Sequence, residues 1–127
     1  MAAPEELKFL KSHEWVRVEG STAYVGISDH AQEELGDIVF VELPDEGDEF
    51  GKGEEVTNIE SVKAASPIYS PVSGKIVKVN EELDDSPELI NQKPYETFIF
   101  AVEMSDSSEL DSLLSYEDYQ KSIEEEG

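Results

Sequence analysis

Residues 54–72, EEVTNIESVKAASPIYSPV, decide the fold. Glu54–Ile59 and Ile68–Val72 are short β-type runs bounded by glycine or proline, placed on either side of Lys63 as the arms of a hairpin would be. Lys63 falls at the tip, beside Val62, Ala64, Ala65 and Ser66, with no other basic residue between Gly53 and Gly74. Hairpin tips concentrate mobility and accessibility. The spacing therefore predicts a lysine whose side chain has only solvent around it.

Short strands also precede the hairpin. Glu14–Val18 and Thr22–Ile27 alternate in the manner of β-structure and are split by the turn residues Glu19, Gly20 and Ser21. Ser28 can cap a helix of about two turns that Gly36 ends in a left-handed conformation. Such a helix is too short to stand alone and must dock on a sheet. Gly36–Val41 and Gly74–Val79 share the pattern G-x-I-V-x-V, 38 residues apart, and an acidic turn-forming segment follows each. This suggests two similar half-sheets about an approximate two-fold axis, with Ile38, Phe40, Ile76 and Val79 in the core. Beyond Ser105 the pattern is helical: Leu110, Leu113 and Leu114 share one face. Ser115 and Asp118 resemble a cap for a second segment carrying Tyr119 and Ile123. Both helices have a packing role.

The chain has 127 residues, which fits one domain spanning 1–127 with a modest core. Nine Lys and Arg face 31 Asp and Glu, a net charge of -22. That balance disfavours nucleic acid, which needs clustered cations, and anionic membrane surfaces. Like charge also discourages self-association, so a monomer is expected, while partners with basic docking surfaces are attracted. There is no cysteine for a disulfide, a thiolate nucleophile or a Cys-ligated metal. No apolar run is long enough to span a bilayer. Met1–Leu7 lacks the features of a secretion signal or transit peptide, so a cytoplasmic protein is expected, with a mature organellar form left open.

No catalytic motif is found, and a two-histidine zinc site has some support from the many carboxylates but no local spacing behind it. His13 and His30 lie seventeen positions apart, without a G-x-S-x-G nucleophile motif or the local spacing of H-E-x-x-H. Both are assigned surface or capping roles. The acidic run Asp45–Glu49 lacks the ligand order of a helical calcium loop and reads as a solvated turn. A catalytic lysine needs burial or a nearby cation to become nucleophilic, and an exposed tip among carboxylates offers neither. Lys63 suits the opposite role: its small neighbours leave the stem open to a modifying enzyme, and acylation would remove the charge.

The run Glu60–Ser66 resembles the lipoyl-attachment motif of the glycine cleavage H-protein family. Ser12–Val16, Val25–Gln32, Leu35–Pro44, Ser70–Gly74 and Ser86–Asn91 resemble the same family, in order and with matching spacing over nearly the whole chain. Biotin carriers flank their lysine with methionines, and lipoyl domains of 2-oxoacid dehydrogenases usually place Asp before it; here Val62 stands there.

The resemblance implies a mainly β barrel-sandwich hybrid of two small antiparallel sheets with short peripheral and C-terminal helices. The lipoyl-bearing hairpin would span about 54–72 and the C-terminal helical segment about 105–127. It implies a non-catalytic carrier with lipoate joined to Lys63. Three partner enzymes follow: the pyridoxal-phosphate P protein, the tetrahydrofolate-dependent T protein and the flavin-containing L protein. A lipoate ligase or lipoyl transferase would attach the cofactor. The alternative within the resemblance is an H-like protein relaying lipoyl groups to other complexes. A cleft protecting the loaded arm would include Ser12, Glu14 and His30, with Glu14 facing the cationic amine. Two departures stand out. Pro67 occupies a position where the family commonly has Asp, and Pro94-Tyr95 is followed by Glu96-Thr97-Phe98 in place of a Gly-Trp pair.

Overall fold

A computed structural model describes residues 4–126. After a 3₁₀ turn at Pro4–Glu6 come β1 (Lys8–Phe9), β2 (Glu14–Glu19), β3 (Thr22–Ile27), α1 (Asp29–Leu35), β4 (Ile38–Val41) and β5 (Glu49–Phe50). The hairpin supplies β6 (Glu55–Ser61) and β7 (Ala65–Tyr69), followed by β8 (Gly74–Val79), α2 (Glu82–Asp85) and α3 (Leu89–Gln92). The chain closes with β9 (Phe100–Met104), a 3₁₀ stretch at Ser107–Ser112, β10 (Leu114–Ser115) and α4 (Tyr116–Glu126). Among the described residues no helix is long and apolar enough to cross a membrane.

All strand pairs are antiparallel and fall into two sheets. One has seven strands in the order β10-β1-β2-β3-β9-β8-β5, and the other has three, β4-β6-β7. β2 and β3 join through the two-residue turn Gly20-Ser21, where Gly20 takes a φ of 63° that its missing Cβ permits. Ile38, Val41, Ile59 and Ile68 from the small sheet meet Val16, Val25, Ile76 and Val102 from the large one in a continuous buried cluster. A second cluster of Leu7, Phe9, Trp15 and Tyr119 holds α4 in place, with Phe9 and Tyr119 stacked 4.4 Å between ring centroids. Gly26 makes room for it: a Cβ there would come within 2.5 Å of the Trp15 ring.

The short helix behaves as its caps predict. Ser28 Oγ accepts from Ala31 N, and Gly36 closes α1 with φ 79° while its N–H donates to Gln32 O.

Three expectations need correction. Phe40 is not a core residue but 51% exposed. The register of β4 against β6 shifts between Ile38 and Phe40, so a bulge resets the alternation and buries Val41 in place of Phe40. Val79 packs against the core only in part, and Ile38 and Ile76 are buried as expected. The G-x-I-V-x-V copies do share a local device, because β8 has the same shift between Ile76 and Lys78. They do not build similar half-sheets, however: β4 is an edge of the three-stranded sheet, while β8 lies between β9 and β5 in the seven-stranded one.

The third correction concerns the C-terminal segment, whose first part is a 3₁₀ stretch and a strand. Leu114 pairs with Phe9 in the sheet, a backbone partner that helical periodicity cannot reveal. The cap on the second helix is present, with Asp118 N donating to Ser115 Oγ.

Candidate functional site

The arms of the hairpin run closer to Lys63 than the sequence suggests, and Val62, Lys63 and Ala64 alone form the tip. Ser61 organises it. Its hydroxyl accepts from Lys63 N at 3.2 Å and from Ala64 N at 3.1 Å, and its N–H donates to Ala64 O at 2.8 Å. Val62 N donates to Asp37 O at 3.0 Å, so the tip is fastened to the segment leading into β4.

Lys63 is exposed, as expected, but its side chain has more than solvent around it. The amine lies 3.5 Å from the Glu34 carbonyl, and Cε sits 3.4 Å from where a Gly36 Cβ would be. Among the described residues it forms no ion pair with a carboxylate. The glycine that ends α1 therefore also gives the lysine stem a surface to lie on.

Beside this tip is a cleft of about 190 Å³ lined by Ser12, His13, Glu34, Leu35, Pro67 and Ile68, among others. Pro67 stands on β7, an edge strand, where a missing N–H is tolerated. A larger hollow of about 470 Å³ opens at the other end of the hairpin, against Gly53 and Tyr69, away from Lys63.

The expected cleft residues are only partly gathered. Ser12 lines the cleft, and its hydroxyl donates to Glu14 Oε1 at 2.5 Å. Glu14 is 1% exposed; its other oxygen accepts from Tyr69 N at 2.7 Å. Burial pushes the Glu14 carboxyl up, and the hydrogen bonds from Ser12 and Tyr69 counter part of that rise. His30 does not touch this pair. It lies on α1 with Nε2 2.6 Å from Glu34 Oε1, and its ring centroid is 5.0 Å from that of His13.

His13 and Tyr119 have roles that the sequence conceals, and Ser28 has a second one beyond its cap. Tyr119 Oη lies 2.7 Å from His13 Nδ1 and 2.5 Å from Ser28 Oγ, so the α1 cap, the cleft and α4 are joined through one hydroxyl. His13 takes a φ of 84°, a conformation uncommon outside glycine and one that clusters at functional sites. The segment departing from the Gly-Trp pattern is packed: Thr97 is buried with its hydroxyl on Leu89 O, and Trp15 Nε1 donates to Pro94 O.

Comparison with known proteins agrees with this geometry. The glycine cleavage H-protein family model matches residues 7–126. The chain is 56% identical over 126 residues to a glycine cleavage system H protein of Staphylococcus haemolyticus, covering 98% of this chain and 100% of the relative. It is 54% identical over 126 residues to the one of Staphylococcus saprophyticus, with the same coverage. A crystal structure of a glycine cleavage system H protein from Mycobacterium marinum superposes with a TM-score of 0.86 at 32% identity, covering 96% of this chain and 99% of that one. The two antiparallel sheets are the barrel-sandwich hybrid of lipoyl carriers. The chain belongs to the glycine cleavage H-protein family, whose members serve the glycine cleavage system as lipoyl carriers and not as catalysts.

Proposed function

We propose that Lys63 carries the lipoyl group, as an amide of its side-chain nitrogen, in a single carrier domain that works as a cytoplasmic monomer. The observation that carries this reading is the tip itself: an exposed amine without a carboxylate partner among the described residues, on a turn fixed by Ser61 and Asp37. The lysine stem is accessible, and a cleft of mixed polarity opens beside it. Lipoate, when attached, supplies a dithiolane that takes up the aminomethyl group of glycine and presents it elsewhere. The partners in this reading are the P protein, the T protein, the L protein and a lipoate ligase or lipoyl transferase. Tethering raises the local concentration of the arm at each partner's site.

The protein's own residues shelter the arm. Ser12 is exposed and its hydroxyl donates to Glu14 Oε1, the oxygen for which a cationic amine in the cleft would compete. His30 sits at the α1 side of the same cleft region, through its contacts with His13 and Glu34.

Incubation with lipoate ligase tests the assignment. Intact-mass and peptide analysis should find one lipoyl group, on the peptide containing Lys63, with Lys52 and Lys75 unmodified. Lys63→Arg keeps the charge and removes the acceptor. Lipoylation of that variant would refute the assignment.

A further inference from the structure

We propose that His13, His30 and Glu34 form a binding site for one divalent cation of the zinc class. Each residue offers a ligand atom, and the three atoms lie within 4.8 Å of one another. Tetrahedral ligands at metal bonds of about 2.0–2.2 Å stand roughly 3.3 Å apart. Binding would draw the three atoms together to that spacing.

The local structure suits such a site. His30 and Glu34 are four residues apart on α1 and share one helix face, where the imidazole donates to the carboxylate at 2.6 Å. A cation would take the place of the proton between them and widen that distance. His13 arrives from the loop before β2, held by its unusual φ of 84°. Its Nδ1 lies 2.7 Å from Tyr119 Oη, itself 2.5 Å from Ser28 Oγ, so Nε2 is the nitrogen that would serve as the ligand. An imidazole whose second nitrogen is held by a polar neighbour is the usual arrangement around protein metals, and it fixes both tautomer and ring orientation.

The donor set chooses the metal. Two imidazoles and one carboxylate suit zinc and its borderline neighbours, whereas magnesium and calcium take oxygen donors. Three protein ligands leave a fourth position open. His13 and Glu34 both line the cleft, so that position opens where Ser12 and Pro67 also stand. The net charge of -22 draws cations toward the surface in general. Attraction of that kind is diffuse and weak, and it has no preference for imidazole.

Calorimetric titration of the unlipoylated, chelator-treated protein with Zn²⁺ separates the two, and lipoylation has no part in the outcome. One Zn²⁺ should bind per chain, unaffected by a large excess of Mg²⁺. His30→Gln and Glu34→Gln each remove a ligand from the helix and should weaken binding at least tenfold. Tyr119→Phe leaves all three ligands but loses the orienting hydroxyl, and should weaken binding roughly tenfold. Glu46→Gln, in the acidic turn, should leave it unchanged. Several equivalent weak sites, or affinity that survives both His30→Gln and Glu34→Gln, would overturn the proposal.

Discussion

The Tyr119 hydroxyl lies 2.5 Å from Ser28 Oγ, across 91 residues of sequence, and joins the C-terminal helix to the cap of α1. Both residues are completely buried. Removing the hydroxyl leaves Ser28 and His13 without one partner each in a place that water reaches poorly. Tyr119→Phe should therefore cost about 0.5–1.5 kcal/mol, the usual net contribution of one hydrogen bond, and more if Ser28 stays unsatisfied. Urea unfolding should show a lower midpoint with an unchanged slope. An unaltered midpoint would mean that the hydroxyl contributes nothing beyond its ring.

Glu14 predicts a dependence on pH. Burial raises its folded-state pKa above the ordinary value of 4.5, so the folded chain holds the proton more tightly than the unfolded one. The ionised carboxylate therefore costs stability above the folded-state value, and this cost is relieved as pH falls through it. Glu14→Gln keeps the shape and has nothing to titrate. The stability of the natural protein relative to Glu14→Gln should accordingly rise between neutral pH and pH 4.5. Using the difference cancels the response of the many surface carboxylates. A difference that falls over this range would show that the hydrogen bonds from Ser12 and Tyr69 outweigh burial.

Ile38 and Phe40 should respond to substitution in opposite ways to their size. Ile38 is 3% exposed and Phe40 51%. Ile38→Ala should cost about 2–5 kcal/mol, as core truncations do. Phe40→Ser should stay within about 0.5 kcal/mol, as surface changes do. Thermal or urea unfolding of the two variants checks both.

The same pair shows where sequence stops being informative. The strand over Ile38–Val41 is legible, because its residues have a strong β preference. The bulge is not, since it depends on what lies opposite, and it alone decides whether Phe40 or Val41 turns inward. The helix between Ser28 and Gly36 was readable to its caps because capping is chemistry between neighbours in the chain. Lys63 at a tip followed from local turns and small flanking residues in the same way.

His13 is the contrary case. Its neighbours Ser12 and Glu14 are of types that read as surface residues, and its ring contact with His30 and its bond to Tyr119 come from distant parts of the fold. Helical periodicity gives Tyr119 a packing role, because it sees the ring and misses the hydroxyl. Ser12 and Glu14 are two residues apart, yet nothing local indicates that Tyr69 donates to the same carboxylate.

The tip bonded by Ser61 to itself and by Val62 to Asp37 has a mechanical consequence for the proposed carrier. Its backbone is a bolted pivot, so the freedom to swing belongs to the lysine stem and whatever is attached to it. A swinging arm on a fixed pivot sweeps one sphere of fixed radius. Every enzyme that uses it must bring its own catalytic pocket inside that sphere, and two of them cannot fill the same space. Visits are therefore exclusive, and an excess of one idle partner should slow the whole cycle by occupying the pivot.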